Sequence, residues 1–174
     1  MRRTKPNKRD YKILIGIDDS LSMKHNQLGF FALESLVTIT EALKRLEIGQ
    51  VCVAKISERL DLLHSFEDTI TEDRMAFWVE SFGFQFAGER SADTAMVRFL
   101  GDANSVLDRF EDEKKIVFII SDGRFNKKAV QAQLMEAEKK RNLIVFIVLD
   151  SGEEKTSILN MKSAEAIFNS SGEM

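Results

Sequence analysis

At 174 residues, 44% hydrophobic and 30% charged, the chain has the composition of an ordinary globular protein and the length of one domain with a sizeable core, which excludes a mainly disordered state. Its net charge of −3 excludes a nucleic-acid footprint on the body of the domain. Cys52 is the only cysteine, so no internal disulfide forms and a reducing compartment is expected, while no apolar run reaches the roughly eighteen residues of a membrane helix.

The chain opens with Arg2, Arg3, Lys5, Lys8, Arg9 and Lys12 against a single acid, Asp10. Residues 1–11 read as a solvated basic lead-in, and residues 12–174 as the domain. "KILIGID" (12–18) is the first of four near-continuous apolar runs, the pattern of strands buried on both faces of a parallel sheet. It leads into Asp18-Asp19-Ser20-Leu21-Ser22, a strand end rich in oxygen. Gln27 to Glu47 then carries Phe31, Leu36, Ile39, Leu43 and Leu46, a helix apolar enough to be heavily covered.

"VCVAKIS" (51–57) is the second strand, with Cys52 as a small core residue. "LDLLHSF" (60–66) follows too closely for a crossover helix, so an antiparallel hairpin is expected, with His64 in a structural role. Glu72 to Ser81 is a short helix, and Asp93 to Phe110 an amphipathic one. "IVFIISD" (116–122) and "LIVFIVLD" (143–150) complete the strands, with the amphipathic Lys127 to Arg141 between them. This alternation predicts the α/β class: an open, mostly parallel sheet with helices on both faces.

In such sheets ligands sit at the carboxyl ends of strands. Two ends here offer carboxylates and hydroxyls, "DDSLS" (18–22) and "SDGR" (121–124). Three chemistries compete. A phospho-receiver domain would use the Asp18/Asp19 pair, yet it needs an acceptor aspartate at the end of the second strand, where Lys55, Ile56 and Ser57 stand instead. A phosphatase with an Asp-x-Asp nucleophile and acid would find Ser20 at its acid position, and a hydroxyl is no general acid at neutral pH. A divalent-cation site reads the same stretch as Asp-x-Ser-x-Ser. Alternate residues of an extended segment point the same way, so Asp18, Ser20 and Ser22 converge as hard oxygen donors suited to Mg²⁺ or Mn²⁺. Asp122 adds a carboxylate from another strand end, and Thr94 a hydroxyl from the loop "GERSADTAM" (88–96), where Ser91 is its rival.

Asp18-x-Ser20-x-Ser22, a distant Thr94 and a later Asp122 resemble, in order and placement, the metal-ion-dependent adhesion site of von Willebrand factor A domains. Within that family the chain resembles more closely still the adhesion-site domain of a ring ATPase of large-ribosomal-subunit assembly, through "RRTKP" (2–6), "IDDSLSM" (17–23), "LLHSF" (62–66), "ISDGR" (120–124), "LDSGEEKTSIL" (149–159) and "GEM" (172–174). The resemblance implies that Ser20, Ser22 and Thr94 are direct hydroxyl ligands, and that Asp18 and Asp122 act largely through water or hydrogen bonds. Neutral hydroxyls leave the ion electrophilic, with a position open to a carboxylate from another protein.

It further implies a non-enzymatic binding module in the nucleus. The partners would be WD-repeat ribosome assembly factors whose ubiquitin-like domain presents a Glu or Asp, docked for ATP-driven release from the pre-60S particle. Asp19, His25, Arg124 and Asn126 are placed on the rim that meets the partner, Asp19 also supporting the loop by hydrogen bonds. Phe84 and Phe86 are candidates for an apolar docking surface, with at least one expected in the core. Family members carry another strand and a closing helix beyond the segment ending in "GEM", so the chain reads as lacking both, with an exposed sheet edge. The receiver-like use of Asp18 and Asp19 stands as the alternative.

Overall fold

The computed structural model describes residues 10–86, 92–110 and 113–149. Its sheet is built on β1 (Tyr11–Asp18), in which every residue from Lys12 onward is buried. A strand covered on both sides has no polar face to offer, and the unbroken run Ile13-Leu14-Ile15-Gly16-Ile17 satisfies that condition. β2 (Gln50–Ile56) and β4 (Lys114–Ser121) flank β1 in parallel, β5 (Asn142–Val148) lies parallel beyond β4, and β3 (Leu60–His64) lies antiparallel beyond β2. The strand order is β3-β2-β1-β4-β5. The hairpin expected from the short link is present, with a register shift at Val53/Ala54.

Alternation along β1 divides the core. Ile13, Ile15 and Ile17 face α1 (Leu28–Arg45) and α2 (Glu72–Ser81), where they meet Leu36, Met75 and Trp78. Leu14 faces α3 (Ala92–Leu107) and α4 (Lys127–Lys139), with Phe99, Leu100, Val117 and Val130. Gly16 is also on this side because nothing larger fits: a Cβ there would lie 2.2 Å from Cζ of Phe99. Each of these fully buried side chains contributes roughly 1.5–3 kcal/mol.

The chain makes its first reversal in strand order at β1, going to β2 on one side and to β4 on the other. The carboxyl ends of β1 and β4 therefore open side by side at a switch point, where α/β sheets hold their ligands. A seven-residue ladder, Tyr11↔Lys114 to Ile17↔Ile120, fixes their relative height.

Some boundaries differ from the sequence reading. β1 begins at Tyr11, inside the segment read as a lead-in. A 3₁₀ segment, Leu21–Gln27, precedes α1, with Asn26 and Gln27 at positive φ. β3 ends at His64, although Phe66 is still in the core. His64 is structural, as expected: it is buried and meets Trp78 edge-on at 4.9 Å. Cys52 is buried. Among the described residues β5 is an edge strand, and Leu143 on it is 58% exposed. The expectation about a further strand and closing helix lies outside the described residues, as do residues 1–9 of the lead-in. No helix among the described residues is long and apolar enough to cross a membrane.

Candidate metal centre

The end of β1 turns out of the sheet at Asp18, and three hydrogen bonds shape the loop beyond it. Asp18 Oδ1 accepts the Ser20 backbone N–H at 3.0 Å, which curls the loop back on itself as aspartate does in turns. Oδ2 accepts the Ser121 hydroxyl at 2.7 Å, from the end of β4. Ser121 Oγ in turn accepts the Gly123 N–H at 3.1 Å, and Gly123 takes the positive φ of +73° that the turn requires. Asp18 thus couples the two strand ends through a single buried carboxylate.

Within this frame Ser20 Oγ and Ser22 Oγ lie 2.9 Å apart, both on half-buried residues. Asp122 is buried on the neighbouring strand end. Its Oδ1 accepts the Arg124 N–H at 3.1 Å, whereas Oδ2 has no hydrogen-bond partner among the described residues. Arg124 Nε lies 3.4 Å from Oδ2, close enough to act as an ion pair but not aligned for a hydrogen bond.

Burial pushes the Asp18 carboxyl above its ordinary range, the bonds from Ser121 and Ser20 pull it back down, and the nearby charge of Asp122 pushes it up again. Two buried carboxylates that feel each other, and two adjacent hydroxyls on the loop that Asp18 anchors, are hard oxygen donors of the kind a small divalent cation takes. Among the described residues no group of three or more His, Cys, Asp or Glu side chains could hold a metal.

Thr94 is half-buried in the first turn of α3. Its neighbour Asp93 accepts the Asn126 N–H, which brings the start of α3 to the loop that carries Asp122. Ser91 lies outside the described residues.

The proposed rim divides. His25 is exposed, and Arg124 is half-buried over Asp122. Asn126 is exposed and caps α4, its Oδ1 accepting the Lys128 N–H at 2.9 Å. Asp19 is not on the rim. It is 9% exposed, and its carboxylate turns inward to the Phe84 N–H, at 2.7 Å, and to Lys55 Nζ, at 3.7 Å. Neighbouring residues of an extended loop point to opposite sides, so Ser20 faces out where Asp19 faces in. Lys55, which the sequence reading did not single out, is the partner; a lysine near the end of a buried strand was the available signal. Phe84 packs against Gly29 and stacks on Phe82 at 5.9 Å, so it belongs with the core more than with a docking surface. β2 ends at Lys55 and Ile56 with no carboxylate, leaving a receiver-type phosphoacceptor without its residue.

No protein-family model matches the chain. It is 36% identical over 171 residues to midasin of Dictyostelium discoideum, covering 94% of this chain and 3% of that protein. To midasin of Giardia intestinalis it is 33% identical over 181 aligned residues, covering 99% of this chain and 4% of that protein. The chain therefore spans only a few per cent of the length of these curated relatives. Among solved structures it is similar to a von Willebrand factor type A protein from Catenulispora acidiphila (TM-score 0.58, 16% identity, 79% of this chain and 32% of that one). It is similar also to the manganese-loaded TRAP protein of Plasmodium vivax (TM-score 0.66, 13% identity, 83% and 59%). A third is proximal thread matrix protein 1 of the mussel byssus, solved with a zinc-occupied MIDAS motif (TM-score 0.57, 16% identity, 80% and 38%).

Proposed function

Over nearly its whole length the chain is related to one short segment of midasin, and it has the von Willebrand factor A fold; on that premise we propose that it is a metal-dependent protein-binding module. Ser20, Ser22 and Thr94 would hold a divalent cation through hydroxyls, with Asp18 and Asp122 supplying negative charge around it. The observation that carries this reading is the pair of serine hydroxyls 2.9 Å apart on the loop that Asp18 ties to the end of β4, where buried Asp122 keeps an Oδ2 that accepts no hydrogen bond among the described residues. A bound Mg²⁺ or Mn²⁺ would supply an electrophilic site for one carboxylate of a partner. The manganese and the zinc carried by the two metal-bearing neighbours support a divalent ion of this kind.

The chain's own residues define the rest of the task. Asp18 fixes the serine loop against β4, and Ser121 holds Asp18 in place. Because the donors are neutral hydroxyls and partly shared carboxylates, they would leave a bound ion enough positive charge to prefer an incoming Glu or Asp over water. In this reading the module would bind its partner without transforming it.

By the resemblance of its motifs to the adhesion-site domain of a ribosome-assembly ATPase, the partner would be a ribosome assembly factor whose ubiquitin-like domain presents the acidic residue, met in the nucleus. Release of that partner would fall to an ATPase elsewhere in a parent protein. Calorimetric titration of a glutamate-bearing ubiquitin-like domain of a WD-repeat assembly factor tests this, with Mg²⁺, with EDTA, and with Ser20→Ala/Ser22→Ala. Binding that needs both the cation and the serines is expected; binding indifferent to EDTA would overturn the reading.

A further inference from the structure

Asp19 sits between the two loops that the metal reading needs, and every polar group it has is engaged. Its N–H donates to Ile56 O at 3.2 Å, and its carbonyl accepts the Phe86 N–H at 3.3 Å. Its Oδ1 accepts the Phe84 N–H at 2.7 Å, and its Oδ2 faces Lys55 Nζ at 3.7 Å. Lys55 Nζ also donates to Ser81 O and lies over the Phe82 ring, 5.3 Å from its centroid. Two residues, both buried or nearly so, therefore hold the whole segment from Ser81 to Phe86.

That segment is not at rest by itself. Phe84 has φ +49°, a left-handed conformation unfavourable for a bulky residue and kept only where the surroundings enforce it. Two contacts enforce it: the Asp19 carboxylate on its N–H, and Gly29, whose missing Cβ leaves the space taken by the Phe84 ring, 2.6 Å from where that atom would stand. Next along the chain, Phe86 bridges to Ser20, and the Leu21 N–H donates to Phe86 O at 3.0 Å. The serine loop and the 82–86 segment are thus laced together on both sides of Asp19.

We infer that Asp19 and Lys55 form a buried latch that positions the 82–86 segment against the serine loop, and so sets the placement of Ser20 and Ser22. Asp19 is a positioning residue; it touches neither ion nor partner. This rests on the metal reading proposed for the serine loop. It explains why a second acidic residue directly after Asp18 is compatible with a cation site that must not be over-neutralised: its charge is spent on Lys55 and on a backbone N–H, on the far side of the loop.

The experiment uses the full chain, Mn²⁺ as the probe, and two readouts: Mn²⁺ affinity by calorimetry, and amide hydrogen exchange across residues 81–86. Asp19→Ala and Lys55→Met are each expected to raise exchange at Phe84 and Phe86 and to weaken Mn²⁺ by about tenfold, the scale of lost support around a metal ligand. Asp19→Asn, which keeps an acceptor for the Phe84 N–H, is expected to fall between. The discriminating measurement is the cycle with Ser22→Ala. If Asp19 acts by placing the serine hydroxyls, its removal adds little once one of them is gone, whereas a general loss of stability would add to it.

Exchange that rises while Mn²⁺ affinity stays at the wild-type value overturns the latch as a device of the metal site. Additive losses overturn the route through the serine hydroxyls. Should Asp19→Ala fail to fold, Lys55→Met decides alone, since it keeps the apolar stem over Phe82. A wild-type chain that takes up no Mn²⁺, or a Ser20→Ala/Ser22→Ala chain that takes it up normally, overturns the metal reading itself and this inference with it. That outcome is seen before the latch is touched.

Discussion

Replacing Asp18 with asparagine should leave the metal-free protein at least as stable as the wild type and the metal-loaded protein less stable than the wild type. Asparagine has nearly the same shape. Its carbonyl oxygen can keep the Ser20 N–H, and its amide can donate to Ser121 Oγ, which now accepts only from Gly123 N–H and has a second lone pair. The number of hydrogen bonds to residue 18 is conserved, while the Ser121 O–H gives up its acceptor there and a buried charge disappears. Burial holds the Asp18 carboxyl above its ordinary range, with Asp122 adding to the rise, so the charged form costs stability when no cation is present.

Linkage sets the sign. The folded protein keeps the Asp18 proton at pH values where the unfolded chain has lost it, so this contribution is complete below the ordinary aspartate value of 3.8 and is lost as pH rises through the elevated folded value. In EDTA at neutral pH, Asp18→Asn should melt at or above the wild-type temperature. With Mg²⁺ or Mn²⁺ at about one hundred times its dissociation constant, the wild type should gain about 2.7 kcal/mol, since binding to the folded state stabilises by RT ln(1 + [L]/Kd). For a domain of this size that is a rise of roughly 5–11 °C in Tm. Asp18→Asn should gain little. Thermal unfolding followed by circular dichroism, in EDTA and in each metal, reads both arms. A variant less stable than the wild type in EDTA, yet raised equally by metal, would refute the reasoning.

Two further expectations concern the frame. Gly16→Ala forces a Cβ to within 2.2–2.9 Å of three atoms of the Phe99 ring and should cost about 1–3 kcal/mol in urea unfolding, with Phe99→Leu in the same chain recovering part of it. His64 is buried with neither ring nitrogen hydrogen-bonded among the described residues, and burial lowers its pKa, the opposing pull of Asp68 being smaller. The unfolded chain therefore takes up that proton first, and stability should fall as pH drops below the ordinary histidine value of 6.5. His64→Phe should flatten the urea midpoint between about pH 7.5 and 5, a range set by the ordinary histidine titration, and an unchanged slope would remove His64 from the account.

Much of the frame was legible because burial on both faces leaves a coarse signature. The runs 12–18 and 116–122 are apolar without alternation, and they became the two adjacent strands whose ends carry Asp18 and Asp122. The three-residue link after β2 announced the hairpin by length alone. What could not be read was the side to which a loop residue turns. Asp18 and Asp19 are the same residue type in sequence. One is bound across the sheet to Ser121, the other across the loop to Phe84 and Lys55, and only the tertiary partners, 103 and 65 residues away, distinguish them. The 3₁₀ segment before α1 was hidden for a related reason. Its positive-φ residues are Asn26 and Gln27 rather than glycine, so no glycine marks the turn. Lys12 likewise looked like part of a solvated charge run, yet its amine lies 3.2 Å from Glu113 and 4.4 Å from the centre of the Phe110 ring.

The placement of β1 between two parallel neighbours has a mechanical consequence. Its register runs Lys12–Asp18 against Gln50–Ile56 on one side and Tyr11–Ile17 against Lys114–Ile120 on the other. A tug on whatever grips the serine loop, directed along the strand, strains both ladders in shear, so their bonds must yield together instead of peeling one at a time. Tension across the strands would meet only the few contacts at one end. The loop of Ser20 and Ser22 is therefore mounted where the sheet is stiffest against axial pulling, and a partner held there would detach before its anchor does.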